Sequence, residues 1–166
     1  MGVDVARAIT PPALQPGIGL RPGDPDHPAA PHVPQLYAAL YESVAAHARL
    51  GFDVVVDVGH YDRAILADAA RRLSGLPVVF VGIYCPIDVI MERRRASTDG
   101  AYEIAAPGQA VPEPVLRWQE QVHGGWRYDL EIDTSVVSPQ QAATEIAALL
   151  DSETRLTAFG EMLRPA

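Results

Sequence analysis

The hydrophobic pattern of the chain alternates between residues spaced as on a helix and short apolar runs. Apolar residues four positions apart, at Leu36, Leu40 and Val44, predict a helix that runs to about residue 50, with two tyrosines beside the apolar stripe. The same reasoning predicts further helices over residues 62–73, 86–96, 114–123 and 139–150, and a short one at 159–163. Residues with N-cap chemistry begin two of these helices, Asp62 and Ser138.

Three short segments have the composition of strands. Residues 53–58 (DVVVDV) and 78–85 (VVFVGIYC) are apolar enough to predict strands buried on both faces, and residues 128–133 (YDLEID) predict a third strand. Because strands alternate with helices, we predict an α/β fold, a three-layer parallel sheet with helices on both faces. Ligands of such sheets bind at the carboxyl ends of the strands, so polar residues there are the first functional candidates.

Length and proline content indicate how the chain is organised. We predict a single α/β domain over residues 1–152 and a C-terminal tail over residues 153–166. Eight of the 15 prolines fall in residues 11–34, which predicts a long proline-rich loop because proline fixes φ and removes a backbone donor. A second loop is predicted over residues 97–111.

Composition excludes several functions. All 13 basic residues are arginines, so these 166 residues contain no lysine for a GxxxxGK[ST] phosphate-binding loop or for Schiff-base chemistry. A formal net charge of -8 argues against binding to nucleic acid or to an anionic membrane. The single cysteine, Cys85, excludes an internal disulfide. With no signal-peptide pattern and no apolar run of about 20 residues, we expect a soluble cytoplasmic protein.

Carboxylates at the predicted strand ends are candidates for chemistry. Asp57 follows three valines, where a carboxylate could hold Mg²⁺ through water, act as a base, or simply cap the next turn. Asp133 ends the last predicted strand, and its sequence context favours a turn residue. Asp4 lies in a segment too short to judge by periodicity, and composition alone suggests an exposed carboxylate.

Two other groups of residues leave alternatives open. Arg93, Arg94 and Arg95 are consecutive, so at helical spacing they cannot share one face. The run is either a solvated face or a clamp for phosphate oxygens. His123, which has a tryptophan on either side along the chain, is either a polar contact in a pocket or a half-buried structural residue.

Several short motifs together resemble the chloramphenicol phosphotransferase-like family, which has the P-loop kinase fold. The matching segments are Gly2-Val3-Asp4, residues 54–57, residues 81–86 (VGIYCP), residues 92–94 (ERR), residues 122–123 with Gly125, and residues 128–135 (YDLEIDTS). The last of these is the most specific, because it looks like the family's YD-x-E-hydrophobic-DT stretch. The resemblance extends over roughly residues 2 to 150.

The resemblance implies roles for individual residues. Asp4 would be the general base that takes a proton from a substrate hydroxyl, and Asp57 would support Mg²⁺ or the acceptor. Nucleotide phosphates would be met by lid and strand-end residues: Arg93, Arg94, Arg95 and Thr134. ATP and Mg²⁺ would be the cosubstrates and a small hydroxyl compound the acceptor. The family's RGDR-like stretch is replaced here by residues 97–100 (STDG).

This chain also departs from the family pattern at its start. Family chains have a strand, a phosphate-binding loop and a helix before the Gly-Val-Asp segment, so we expect the natural chain to extend upstream and this chain alone to have little kinase activity. One alternative is a non-catalytic remnant of the family that binds a small molecule or forms a homo-oligomer. A more distant one is a metal-dependent hydrolase that uses Asp4, Asp57 and Asp133.

Overall fold

The structure, a computed structural model, describes residues 1–18, 21–22, 26–97, 108–153, 156 and 158–163. Over these ranges the protein is a mixed α/β molecule. The chain divides into two compact units: the first comprises Met1–Val78 with Gly160–Ala166, and the second comprises Val79–Phe159. The predicted loop at residues 97–111 lies largely outside the described residues, as do residues 19–20 and 23–25 of the predicted proline-rich loop.

Helices dominate the described ranges. The α-helices are α1 (Val3–Ile9), α2 (Val33–Arg49), α3 (Arg63–Arg72), α4 (Ile87–Ala96), α5 (Glu113–Gln121), α6 (Pro139–Leu150) and α7 (Ala158–Glu161). Two 3-10 turns cover Pro12–Leu14 and Ala30–His32. The strands are β1 (Gly17–Ile18), β2 (Arg21–Pro22), β3 (Val81–Tyr84) and β4 (Leu130–Asp133). None of these helices is long and apolar enough to cross a membrane.

The core of the first unit is formed by α2 and α3. Predicted helix boundaries and caps are confirmed here: Asp62 is the N-cap of α3, its Oδ1 accepting from the amide of Ala64 at 2.7 Å. Tyr37 and Tyr41, which flank the apolar stripe of α2, are themselves buried in this core. The buried side chains of the two helices are Val33, Tyr37, Leu40, Tyr41, Val44, Ala45, Ile65, Leu66, Ala69 and Ala70.

The strand predicted over residues 53–58, buried on both faces, is wrong. Among the described residues its one ladder contact is an isolated parallel bridge between Gly2 and Asp57, supported by the amide of Asp57, which donates to the carbonyl of Met1 at 2.9 Å. Val55, in the middle of the apolar run, is 84% exposed. A valine run forms a buried strand only where it pairs with neighbouring strands in a sheet whose faces are covered by helices. Within the described part of the first unit, the backbone of this segment pairs with Met1 and Gly2 alone.

The second unit contains a parallel pair, β3 and β4, with Val81 opposite Leu130 and Tyr84 opposite Asp133. Asp129 fastens the start of this pair, because its Oδ2 accepts from the amide of Phe80 at 2.9 Å. Both strands are shorter than predicted, but the parallel arrangement is confirmed. The sequence predicted a larger parallel sheet with a layer of helices on each face. The described residues of this unit contain a two-stranded parallel sheet.

Helices of the second unit follow the predicted pattern closely. Met91 of α4 and Val115 of α5 are buried together, with Ile87 and Val111 packed against them. At the start of α6, Ser138 forms a reciprocal capping box with Gln141, as its N-cap chemistry predicted. The short last helix, α7, contains the chain boundary between the two units, and it begins one residue before the predicted range.

Gly82 allows the ring of Tyr128 to lie across β3. A Cβ at position 82 would approach the Cδ2 of Tyr128 to 2.7 Å. We expect Gly82→Ala to lower the free energy of unfolding by about 1–3 kcal/mol, as overpacking of a core does. Urea denaturation provides the measurement. Gly160→Ala is the control, because a Cβ there meets nothing within 4 Å, and an equal loss in both variants would contradict the steric explanation.

Candidate functional site

The carboxyl ends of β3 and β4 form the candidate site of the second unit. Both the amide and the hydroxyl of Thr134 donate to the carbonyl of Tyr84, at 2.9 and 3.1 Å. These two bonds close the end of the parallel pair, where Tyr84 lies opposite Asp133. The fold therefore places Thr134 at the sheet edge where ligands of parallel sheets bind.

Arg93 reaches this strand end from α4. Its Nη1 donates to the hydroxyl of Thr134 at 3.0 Å and lies 3.5 Å from the Sγ of Cys85, and its Nη2 donates to the carbonyl of Thr134. We call this pair of residues the Arg93–Thr134 clasp. Two residues that the resemblance assigned to nucleotide phosphates are thus brought together, and each is a hydrogen-bond partner of the other.

Asp133 lies beside the clasp, and hydrogen bonds from a neighbouring residue stabilise its negative charge. Its Oδ1 accepts from the amide and the hydroxyl of Ser135, at 2.8 and 2.6 Å. These hydrogen bonds, with the positive charge of Arg93 as a smaller contribution, hold the pKa of Asp133 below its ordinary value. Asp133 is therefore an ionised, exposed carboxylate next to a guanidinium, in the turn that the sequence favoured.

Removing the Thr134 hydroxyl tests the clasp. Thr134→Val keeps the shape of the side chain but removes the bond to Tyr84 and the bond from Arg93, so we expect the free energy of unfolding to fall by about 1–2 kcal/mol. Thr144→Val is a matched control, because that hydroxyl donates within α6, to the carbonyl of Gln140. Urea denaturation of both variants provides the comparison, and an unchanged midpoint for Thr134→Val would contradict the contribution assigned to the clasp.

The other two arginines of the run differ in exposure. Arg94 is half-buried and Arg95 is exposed, consistent with three consecutive helical residues that cannot share a face. Residues 98–100, where the family has its second group of arginines, lie outside the described residues. Of the three arginines, Arg93 is the one for which the structure shows hydrogen bonds to Thr134 at the end of the β3–β4 pair.

In the first unit, the parallel bridge joins the segments that carry Asp4 and Asp57. Gly2 packs so closely on Asp57 that a Cβ at position 2 would approach the Asp57 carbonyl oxygen to 2.8 Å. Asp4 follows in the first turn of α1, where a negative charge is favoured by the helix dipole. Both carboxylates are exposed, so they are accessible to a ligand.

His60, a buried histidine three residues after Asp57, was not among the candidates predicted from the sequence. His60 is only 6% exposed, and its Nε2 shares a 2.6 Å hydrogen bond with the hydroxyl of Tyr41. Burial lowers the pKa of His60 to about 4 and raises the pKa of Tyr41, so both groups are neutral at pH 7. No local signal indicates this burial, because the covering tyrosine comes from α2.

His123 has a structural position, one of the two alternatives left open. Its Nε2 bonds to the carbonyl of Ile83 at 3.1 Å, and since a carbonyl only accepts, Nε2 carries the proton. In the neutral ring Nδ1 then accepts from the hydroxyl of Tyr128 at 2.9 Å. Desolvation lowers the pKa of His123, which favours this neutral form.

Cys85 lies half-buried at the end of β3, where its carbonyl accepts from Gln119 at 2.9 Å.

Metal-ligand geometry can be examined for the described ranges only. There, no group of three or more His, Cys, Asp or Glu side chains is placed to hold a metal ion. If Asp57 holds a metal ion, it would therefore do so as a single protein carboxylate. Mg²⁺ in phosphoryl-transfer sites commonly takes one or two carboxylates together with substrate phosphates and water, so one carboxylate fits that donor set.

Comparison with known proteins gives one match, which covers most of the chain. The family model described as chloramphenicol phosphotransferase-like protein matches residues 1–151. The match includes Asp4, Asp57, the arginine run and Thr134. A comparison with curated proteins found no match. The resemblance recognised in the short motifs is confirmed by the family match.

Proposed function

Since the chain belongs to the chloramphenicol phosphotransferase-like family, we propose that it is an ATP-dependent O-phosphotransferase of a small hydroxyl-bearing molecule. The observation that carries the proposal is the family match over residues 1–151. The parallel β3–β4 pair, with polar residues at its carboxyl end, supports it. We extend the proposal to the fold, a three-layer P-loop-kinase-like sheet of which β3 and β4 are a part, and to a cytoplasmic location.

In the proposed reaction Asp4 accepts the proton of the acceptor hydroxyl. Its exposure and its position two residues from the Gly2–Asp57 bridge support this role. Asp57 would orient Mg²⁺ or the acceptor. When bound, ATP and Mg²⁺ would supply the phosphoryl group and neutralise its charge.

In the second unit, the guanidinium of Arg93 and the hydroxyl of Thr134 would contact phosphate oxygens, with Arg94 and Arg95 beside them. A guanidinium suits this task because its planar fork matches two oxygens at once. The clasp positions this fork at the strand end before any ligand arrives. On binding phosphate, the Arg93 guanidinium would exchange its hydrogen bonds to Thr134 for hydrogen bonds to the phosphate oxygens.

Composition limits what these 166 residues can do alone. With no lysine, they contain no P-loop of the GxxxxGK[ST] form, and phosphoryl transfer depends strongly on that loop. We therefore propose that the 166 residues alone are impaired as a kinase. Antibiotic modification, with chloramphenicol as acceptor, is suggested by the family description only and enters as one member of a test panel.

A second candidate function is a non-catalytic remnant that binds a small molecule or forms a homo-oligomer. The clasp is the observation that favours it, because the guanidinium of Arg93 is already engaged by Thr134. In this alternative Arg93 stabilises the strand end and has no catalytic task. As partners we propose a small molecule for both candidates, or a second copy of the chain for the remnant, rather than nucleic acid or membrane.

Transfer and binding assays on the 166-residue chain separate the candidates. The chain is incubated with Mg²⁺, γ-labelled ATP and a panel of hydroxyl compounds that includes chloramphenicol, and acceptor binding is followed by thermal shift. The impaired enzyme is expected to bind an acceptor and to transfer label far below the 1–100 s⁻¹ typical of kinases. Binding without any transfer would favour the non-catalytic remnant, and transfer within that range would overturn the impairment. Neither binding nor transfer would overturn the phosphotransferase and the small-molecule-binding remnant, and would leave the homo-oligomer.

A further inference from the structure

Two tyrosines of α2 hold the chain just after Asp57. Tyr41 bonds to the Nε2 of His60 at 2.6 Å, and the hydroxyl of Tyr37 donates to the carbonyl of Gly59 at 3.3 Å. The rings of Tyr41 and His60 also stack, with centroids 5.8 Å apart and planes 17° apart. Because this contact is shielded from water, its hydrogen bond is electrostatically stronger than an exposed one.

The other end of the same segment is held by the N-terminal residues. Asp57 donates its amide to the carbonyl of Met1 and pairs with Gly2. Residues 57–60, which we call segment 57–60, are therefore fastened at both ends. Few backbone conformations remain for so short a segment, so the direction in which the Asp57 carboxylate leaves the backbone is restricted.

We propose that Tyr41, acting through His60, is a positioning residue for the Asp57 carboxylate. The proposal rests on the proposed function, in which Asp57 orients Mg²⁺ or the acceptor. A carboxylate with that task needs supports that hold it within about 0.5 Å of its working position. The Tyr41–His60 contact is such a support, because it is buried, is provided by a rigid helix and lies three residues from Asp57.

The first readout is the mobility of segment 57–60, measured as ¹⁵N order parameters. In the native chain we expect values near the 0.85 of rigid backbone, and in Tyr41→Phe values moving toward the 0.6 of flexible backbone. The amide of Asp57 should exchange about 3- to 10-fold faster, as expected from the loss of one buried hydrogen bond. The helix α3 should keep its values, because the change is local.

Tyr128→Phe is the matched control, since it also removes a tyrosine–histidine bond, in the second unit. It should leave segment 57–60 unchanged. His60→Gln is the second variant, which removes the same contact from the other side and should loosen the same residues. An unchanged segment 57–60 in Tyr41→Phe, or an equal loosening of α3, would overturn the positioning role.

Kinetics separate this proposal from the proposed function. In a form of the protein that transfers phosphate, Tyr41→Phe should lower kcat about 10- to 100-fold with little change in the KM for ATP, because misplacement affects chemistry more than nucleotide binding. A KM effect alone would overturn the proposal. If no form transfers phosphate, the proposed function fails, and the order parameters still decide whether Tyr41 holds segment 57–60.

Discussion

Asp4→Asn is expected to lower kcat about 10²- to 10⁴-fold in a form of the protein that transfers phosphate from ATP. Removal of a general base has an effect of this size, because the amide cannot take the proton of the acceptor hydroxyl. Asparagine keeps the shape of the side chain at this exposed position in α1, so folding should be preserved. The affinity for ATP should change little. Steady-state kinetics and calorimetric titration with ATP are the measurements.

Asp53→Asn is the control, since Asp53 is another exposed carboxylate of the first unit, with no assigned role. It should retain normal turnover. Asp57→Asn adds a contrast, because its loss should also raise the KM for the acceptor. Normal turnover by Asp4→Asn would show that another group is the base, and a parallel loss of ATP affinity would indicate a folding defect.

The stability of the native protein is expected to fall by about 3 kcal/mol between pH 7 and pH 4 because of His60. Burial lowers the folded-state pKa of His60 to about 4 from an ordinary value of 6.5. The unfolded chain therefore binds a proton through this window that the folded chain does not, so stability falls as the pH falls from 6.5 to 4. Urea denaturation at pH 4, 5, 6 and 7 measures the effect.

Other groups can be separated from His60. His123 has a lowered pKa and acts in the same direction, with a smaller contribution because it is more exposed. Asp68, whose pKa is lowered by its hydrogen bond to Arg72, stabilises the folded chain at neutral pH and loses that contribution mainly as the pH falls below about 3.8. His60→Gln should remove most of the slope between pH 4 and 6.5, and His47→Gln, on the exposed side of α2, should retain it. An unchanged slope in His60→Gln would contradict the assignment.

Local signals in the sequence predicted most of the helices. The N-caps at Asp62 and Ser138 and the apolar spacing of α2 act within a few residues, so they can be read without knowledge of the fold. The strand at residues 53–58 was predicted wrongly because apolarity shows that a segment favours burial, but not which segments of the chain pair with it. That information lies in the pairing with Met1 and Gly2, more than 50 residues away in the chain.

The candidate site shows the same limit. Motifs identified Arg93 and Thr134 separately, but their mutual hydrogen bonds join residues 41 positions apart and depend on the parallel pairing of β3 with β4. His60 carried no local signal at all, because its burial is created by Tyr41, 19 positions earlier. Residue types and helical spacing could identify candidates, whereas partners and burial required the fold.

Phosphoryl transfer by the protein isolated from its own cells tests the central claim most directly. That preparation has its natural ends, so it is independent of how the 166 residues are expressed. We predict acceptor-dependent transfer of label from γ-labelled ATP in the presence of Mg²⁺. Binding of an acceptor without any transfer by the natural protein would contradict a phosphotransferase and would favour the non-catalytic remnant.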